Sequence, residues 1–340
     1  MSRVARRMAD YPFAEVNLES TVRELDGFVA DPPLTARERG EVLEFVRLTH
    51  QYAFFERLIQ GEILFDLPVH MDLLSVGDPP LAEQAEASAR TERELLALGM
   101  EPAVDLLEAL DDRGIKMFRR SRGPEPPEVL TGGFYYAGVL GPALLGGCCE
   151  GSPEAAFVLA HEYGHLVMDV DPYASRFCRW RKADLENCNN SVEERRADRF
   201  ARALLLPEDV LRSSGSELGL EDASGQAITR AAEVFDVAAA VLWRRLEDLA
   251  LPRTDAAPPV RSNARRRKVD ELRPTDLPAR FVNLVLAAFS RRFIEKREMA
   301  RFLRIPPERL EAFLRWCPIP RDLRREDFLV GDDGEEPPTA

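Results

Sequence analysis

The segment "FVLAHEYGHLVMD" (157–169) constrains this chain more than any other. Its apolar residues run almost without interruption, as in a buried helix, yet His161, Glu162 and His165 stand in the middle of it. Only four histidines occur in 340 residues, and two of them are here, four positions apart. Burying imidazole and carboxylate in an apolar helix costs free energy unless each finds a partner. On a helix, residues i and i+4 share a face, roughly 5–6 Å apart at Cβ. Two imidazoles so placed can reach one tetrahedral cation, and Glu162, about 100° round the helix, can hold a water beside it. The alternative is a pair of core histidines bonded to backbone.

A catalytic zinc takes three protein ligands and leaves a position open for water. His50 and His70 lie far upstream. Downstream, "SVEERRADRFA" (191–201) offers Glu194 and Asp198, again four apart. Glu194 is the expected third ligand, and Asp198, one turn on, is placed to accept the free ring N–H of a ligand histidine, fixing its tautomer. Two readings compete with this. Ser191 and Glu194 also form a capping box, and Glu193 is the rival ligand if the register slips by one. The expected ion is Zn2+, one per chain, with another divalent ion such as Mn2+ as the alternative.

The rest of the chain reads as mainly helical. Residues 1–85 form a helical N-terminal region, in which 34–60 carries amphipathic spacing at Val42, Phe45, Val46, Leu48 and Tyr52. The main domain spans 86–252. It holds helices ended by Gly99 and Gly114 and a strand at Ile115–Phe118. "GGFYYAG" and "GPALLGGC" are short strands. The segment 171–190 is a loop rich in Arg, Cys and Asn, and the domain closes on a small helix-turn-helix-like pair broken at Phe235–Val237. A basic linker (253–275), a C-terminal helical unit (276–328) and a disordered acidic tail (329–340) follow. The fold class is α+β, with helical extensions at both ends.

Net charge is −13, which argues against a general nucleic-acid coat. The N-terminal basic residues have no apolar run behind them, so no secretory signal is expected, and no stretch approaches a membrane span. Five cysteines without scaffold spacing point to a reducing cytoplasm. Cys178 and Cys188, between the two metal helices, are candidate inhibitory thiols, against the alternative of ordinary loop thiols. Tyr163, Tyr136 and Tyr173 are candidate oxyanion donors, against the alternative of core aromatics. Tyr135 and Tyr136 read as part of an edge strand, and "GGFYYAG" or "GPALLGG" is the candidate for binding a peptide by strand addition. Arg176, Arg179, Trp180, Arg181 and Lys182 combine charge with an aromatic ring, as a contact for single-stranded DNA would.

These residues carry a resemblance. "RGIKMF" (113–118), "GGFYY" (132–136), "FVLAHEYGHLV" (157–167) and "EERRADRFARALLLP" (193–207) resemble the ImmA/IrrE family of metallopeptidases, over roughly residues 90–250. The resemblance implies His161, His165 and Glu194 as ligands, Glu162 as catalytic base, and a small three-stranded sheet against the metal-binding helices. It also implies a narrow substrate, a helix-turn-helix transcriptional repressor cleaved in a stress, DNA-damage or phage-related response. Two other readings stand beside it: a latent or non-catalytic regulator with a structural metal that binds a partner or DNA, and a toxin–antitoxin component.

Overall fold

The computed structural model describes residues 36–63, 65, 80–100, 103, 106–119, 129–136, 140–146, 153–169, 176–181, 192–222, 224–253, 277–317 and 323. The helices are α1 (Ala36–Gln60), α2 (Leu81–Leu95), α3 (Leu106–Asp112), α4 (Pro153–Met168), α5 (Val192–Leu205), α6 (Glu208–Ser213), α7 (Gly225–Val234), α8 (Ala239–Asp248), α9 (Ala279–Ser290), α10 (Lys296–Phe302) and α11 (Pro307–Trp316). The strands are β1 (Lys116–Arg119), β2 (Val129–Tyr136), β3 (Pro142–Gly146) and β4 (Arg176–Arg181). The described residues are thus mainly helical with one small sheet. Among the described residues no helix is long and apolar enough to cross a membrane.

Two compact units are present. One unit comprises residues 17–49 and 64–267, the other 1–16, 50–63 and 268–340. In the second unit the core is aromatic. Tyr52 and Phe55, from the C-terminal part of α1, stand edge-on to Phe281 of α9, and Phe55 meets Phe302 of α10 with centroids 4.9 Å apart. Buried Glu56 is paired with Arg280 at 2.8 Å. Sequence periodicity showed an apolar face on this helix but not what it would meet.

Among the described residues of the larger unit the sheet has four strands, in the order β1-β3-β2-β4. The expected three-stranded sheet is corrected by β4, which pairs antiparallel with β2 from Val129↔Arg181 to Phe134↔Arg176. The segment read as a loop is therefore partly a strand. Its polar, basic composition lacks the alternation that marks a half-buried strand, and pairing with β2 is a non-local event. A second correction follows from the order. "GGFYY" and "PALLG" lie on β2 and β3, the two central strands, so neither is an edge.

Helix α4 packs on β2 and β3 and against α5, and α5 packs in turn against α2. From Phe157 to Met168 every residue of α4 is buried, as the apolar run required. α2 buries the small residues Ala85, Ser88 and Ala89, and α5 buries Ala197 and Ala201. Helix α3 stops where expected: Gly114 takes φ +84, and the Ile115 N–H returns to the Leu110 carbonyl. The α7–α8 pair turns at Asp236, with φ 54, inside the break read at 235–237.

Candidate metal centre

Three donors from two helices converge. His161 Nε2 and His165 Nε2 lie 2.8 Å apart. Glu194, from the first turn of α5, places Oε2 3.3 Å from His161 Nε2 and Oε1 3.5 Å from His165 Nε2. Among the described residues this is the one group of His, Cys, Asp or Glu side chains arranged to hold a metal ion. Both histidines are inaccessible to solvent, and Glu194 is 4% exposed. Glu193, the rival ligand, is exposed, so α5 takes the register that turns Glu194 inward.

Ring orientation is set by carboxylates. His161 Nδ1 lies 2.9 Å from Asp198 Oδ1, and His165 Nδ1 is hydrogen-bonded to Asp169 Oδ2. An ionised carboxylate only accepts, so each Nδ1 carries the proton and each Nε2 presents a lone pair. Two lone pairs 2.8 Å apart, with a carboxylate beside them, repel unless a cation lies between. Zinc bonds of about 2.0–2.1 Å would separate tetrahedral donors by about 3.3 Å, close to the two Glu194 distances. The donor set and the two Glu194 spacings fit zinc, while the 2.8 Å between the Nε2 atoms is shorter than a tetrahedral pair requires.

Burial, and then the neighbouring His161, hold the His165 imidazole below its usual pKa, while Asp169 and Glu162 pull the other way. The neutral ring is the one that binds metal. Burial alone would raise the Asp169 carboxyl. Its bond to His165 and the charge of Arg196 more than offset this, and it lies below the ordinary Asp range.

Arginines of α5 hold these carboxylates from outside. Arg196 Nη2 donates to Asp169 Oδ1. Arg202 approaches Asp198 at 3.9 Å and donates to Asp248 of α8 at 2.6 Å. Asp169, Arg196, Arg202 and Asp248 had no role assigned from sequence. Asp169 was legible, since it follows His165 by four residues, the spacing used for Glu194 and Asp198. The arginines were not, because their partners lie on other elements.

Tyr163 is one of the three candidate oxyanion donors. Its side chain is fully buried, and its hydroxyl donates to Glu92 of α2, which also accepts from Arg113 at 2.7 Å. The Tyr163–Glu92 bond links α4 to α2. Tyr136 ends β2, opposite Pro142. Cys178 lies on β4, opposite Gly132, and Arg176, Arg179, Trp180 and Arg181 share that strand. Tyr173, Lys182, Cys188, most of the linker and the acidic tail lie outside the described residues.

The IrrE N-terminal-like domain of the peptidase M78 family matches residues 149–247. This stretch contains α4, β4 and α5, with His161, His165, Asp169, Glu194 and Asp198, and runs into α8. The match supports an ImmA/IrrE-family metallopeptidase domain over these residues. No curated protein matches the chain. Within the matched residues the two histidines of one helix and the glutamate of the next form a group that could hold a divalent metal, typically zinc in such a family.

Proposed function

We propose that the protein is a cytoplasmic zinc-dependent endopeptidase that hydrolyses a peptide bond in a specific protein partner. The observation that carries this reading is the convergence of His161, His165 and Glu194, with Glu162 next to the first ligand on the same helix. A zinc ion held by His161, His165 and Glu194 would supply Lewis acidity and make water a better nucleophile near neutral pH. Asp198 and Asp169 keep both Nε2 atoms unprotonated and aimed at the ion. Glu162 takes a proton from the attacking water and returns it to the leaving amine, for which a carboxylate within one water of both atoms suffices.

The substrate we assign is a helix-turn-helix repressor, cleaved in a stress, DNA-damage or phage-related response; the family resemblance is what supports it. Strand addition remains the mode of peptide binding, moved to β4, which among the described residues pairs with β2 alone. Arg176, Arg179, Trp180 and Arg181 put the basic, aromatic segment proposed for single-stranded DNA on that same edge.

A second reading rests on burial. His161, Glu162 and His165 are 0% exposed, which favours a resting form closed to substrate. The resting form is then latent, and the partner that opens it acts as regulator as well as substrate.

The test is co-expression with the product of the adjacent gene, followed by mass spectrometry of fragments with and without chelator. Glu162→Gln should abolish cleavage while zinc stays bound. Full cleavage by that variant would refute the mechanism.

A further inference from the structure

Asp169 is in an unfavourable place for an acid. It follows the last turn of α4, where the helix dipole is negative and where cations, not carboxylates, are stabilised. It is also largely buried, with 10% of its side chain exposed. Two contacts compensate. One oxygen accepts from His165 Nδ1 and the other from Arg196, which reaches across from α5 with 13% of its side chain exposed. The guanidinium is steadied at its far end by Gln84 of α2, at 3.4 Å. Glu194 and Arg196 lie two residues apart on one helix, so a single element delivers a ligand and also holds the carboxylate that orients a second ligand.

The His161 arm has the same parts in another arrangement: Asp198 against Nδ1, then Arg202 at 3.9 Å. There, carboxylate and arginine both come from α5. On the His165 side the carboxylate comes from α4 itself and only the arginine comes from α5. The geometry of His165 therefore depends on a bond between the two metal-bearing helices.

We propose that Asp169 and Arg196 form a positioning pair for His165, so that the α4–α5 ion pair sets the metal affinity of the site. This rests on the metal-centre reading above. A purely structural ion pair at a helix end would change folding and leave metal binding alone; a positioning pair changes metal binding in the folded protein.

The experiment uses the full chain and zinc alone, measured by competition with a chromophoric chelator. Asp169→Ala is expected to weaken zinc affinity tenfold to a hundredfold, as loss of a ligand's outer partner does. Asp169→Asn, which keeps an oxygen acceptor of the same shape, should weaken it less. Arg196→Met should weaken it too, and Asp169→Ala/Arg196→Met should be no worse than Asp169→Ala alone, because the arginine acts only through the aspartate. The Co2+ absorption spectrum of Asp169→Asn should also differ from that of the unaltered protein. Thermal melts without metal identify any variant that has lost its fold, and Asp169→Asn, the isosteric change, then decides. If Asp169→Ala and Asp169→Asn both bind zinc within twofold of the unaltered protein while His165→Ala abolishes binding, the pair has no positioning role. If His165→Ala leaves zinc affinity unchanged, the metal-centre reading itself fails, and the two failures are distinguishable.

Discussion

A Cβ added to Gly164 would lie 2.8 Å from Cδ1 of Phe200. It would also lie 3.4 Å from the Ala197 Cα, so the missing side chain is what lets α4 and α5 approach closely at the level of the metal ligands. In an open helix, Gly→Ala gains roughly 0.5–1 kcal/mol. Here overpacking reverses the sign. Gly164→Ala should destabilise by about 1–3 kcal/mol and weaken zinc binding by moving Glu194 away from the histidines. Pairing it with Phe200→Leu should restore part of both losses, read by chemical denaturation and chelator competition.

Glu194 and its neighbour separate two readings of α5. Glu194→Gln should weaken zinc affinity at least tenfold, since it removes the charged ligand from a buried site. Glu193→Gln, at an exposed position, should change it by less than twofold. The reverse pattern would mean that the helix takes the other register when metal binds. Competition titrations of the two variants side by side decide it.

Arg245 is fully buried and donates to both oxygens of Glu86 and, at 2.8 Å, to the Leu206 carbonyl. Arg245→Met should cost about 3–5 kcal/mol, because it leaves a carboxylate and a buried carbonyl without their donor. Arg199 still reaches Glu86 at 2.8 Å, which favours the lower end of that range. Adding Glu86→Gln should recover part of the loss. Urea unfolding of the single and double variants measures the coupling.

His50 is not a ligand, but it should make the smaller unit acid-sensitive. Burial lowers its pKa to about 4, against an ordinary value of 6.5. In that window the unfolded chain binds a proton that the folded chain does not. Stability is therefore lost as pH falls from about 6.5 to about 4. The ring is partly exposed, so the contribution at pH 5 is discounted to about 1 kcal/mol. His50→Phe should lose less stability between pH 7 and pH 5 than the unaltered protein, in urea unfolding at both values.

What the sequence determined by itself is the local part of the site. The four-residue spacings of His161 with His165 and of Glu194 with Asp198 are set by helix geometry, which needs no tertiary information. The apolar run around the histidines and the turns at Gly114 and 235–237 were legible for the same reason. Tertiary structure decided what depends on residues distant in the chain. It added β4 to the sheet and so moved the edge away from "GGFYY". It directed the Tyr163 hydroxyl to Glu92, 71 residues away, and brought Arg196 to Asp169, 27 residues away. It also divided α1 between two units by giving Tyr52 and Phe55 their partners on α9 and α10. Periodicity reports which face of an element is buried; which side chain or strand it meets is settled only when the packed elements satisfy their charges and hydrogen bonds together.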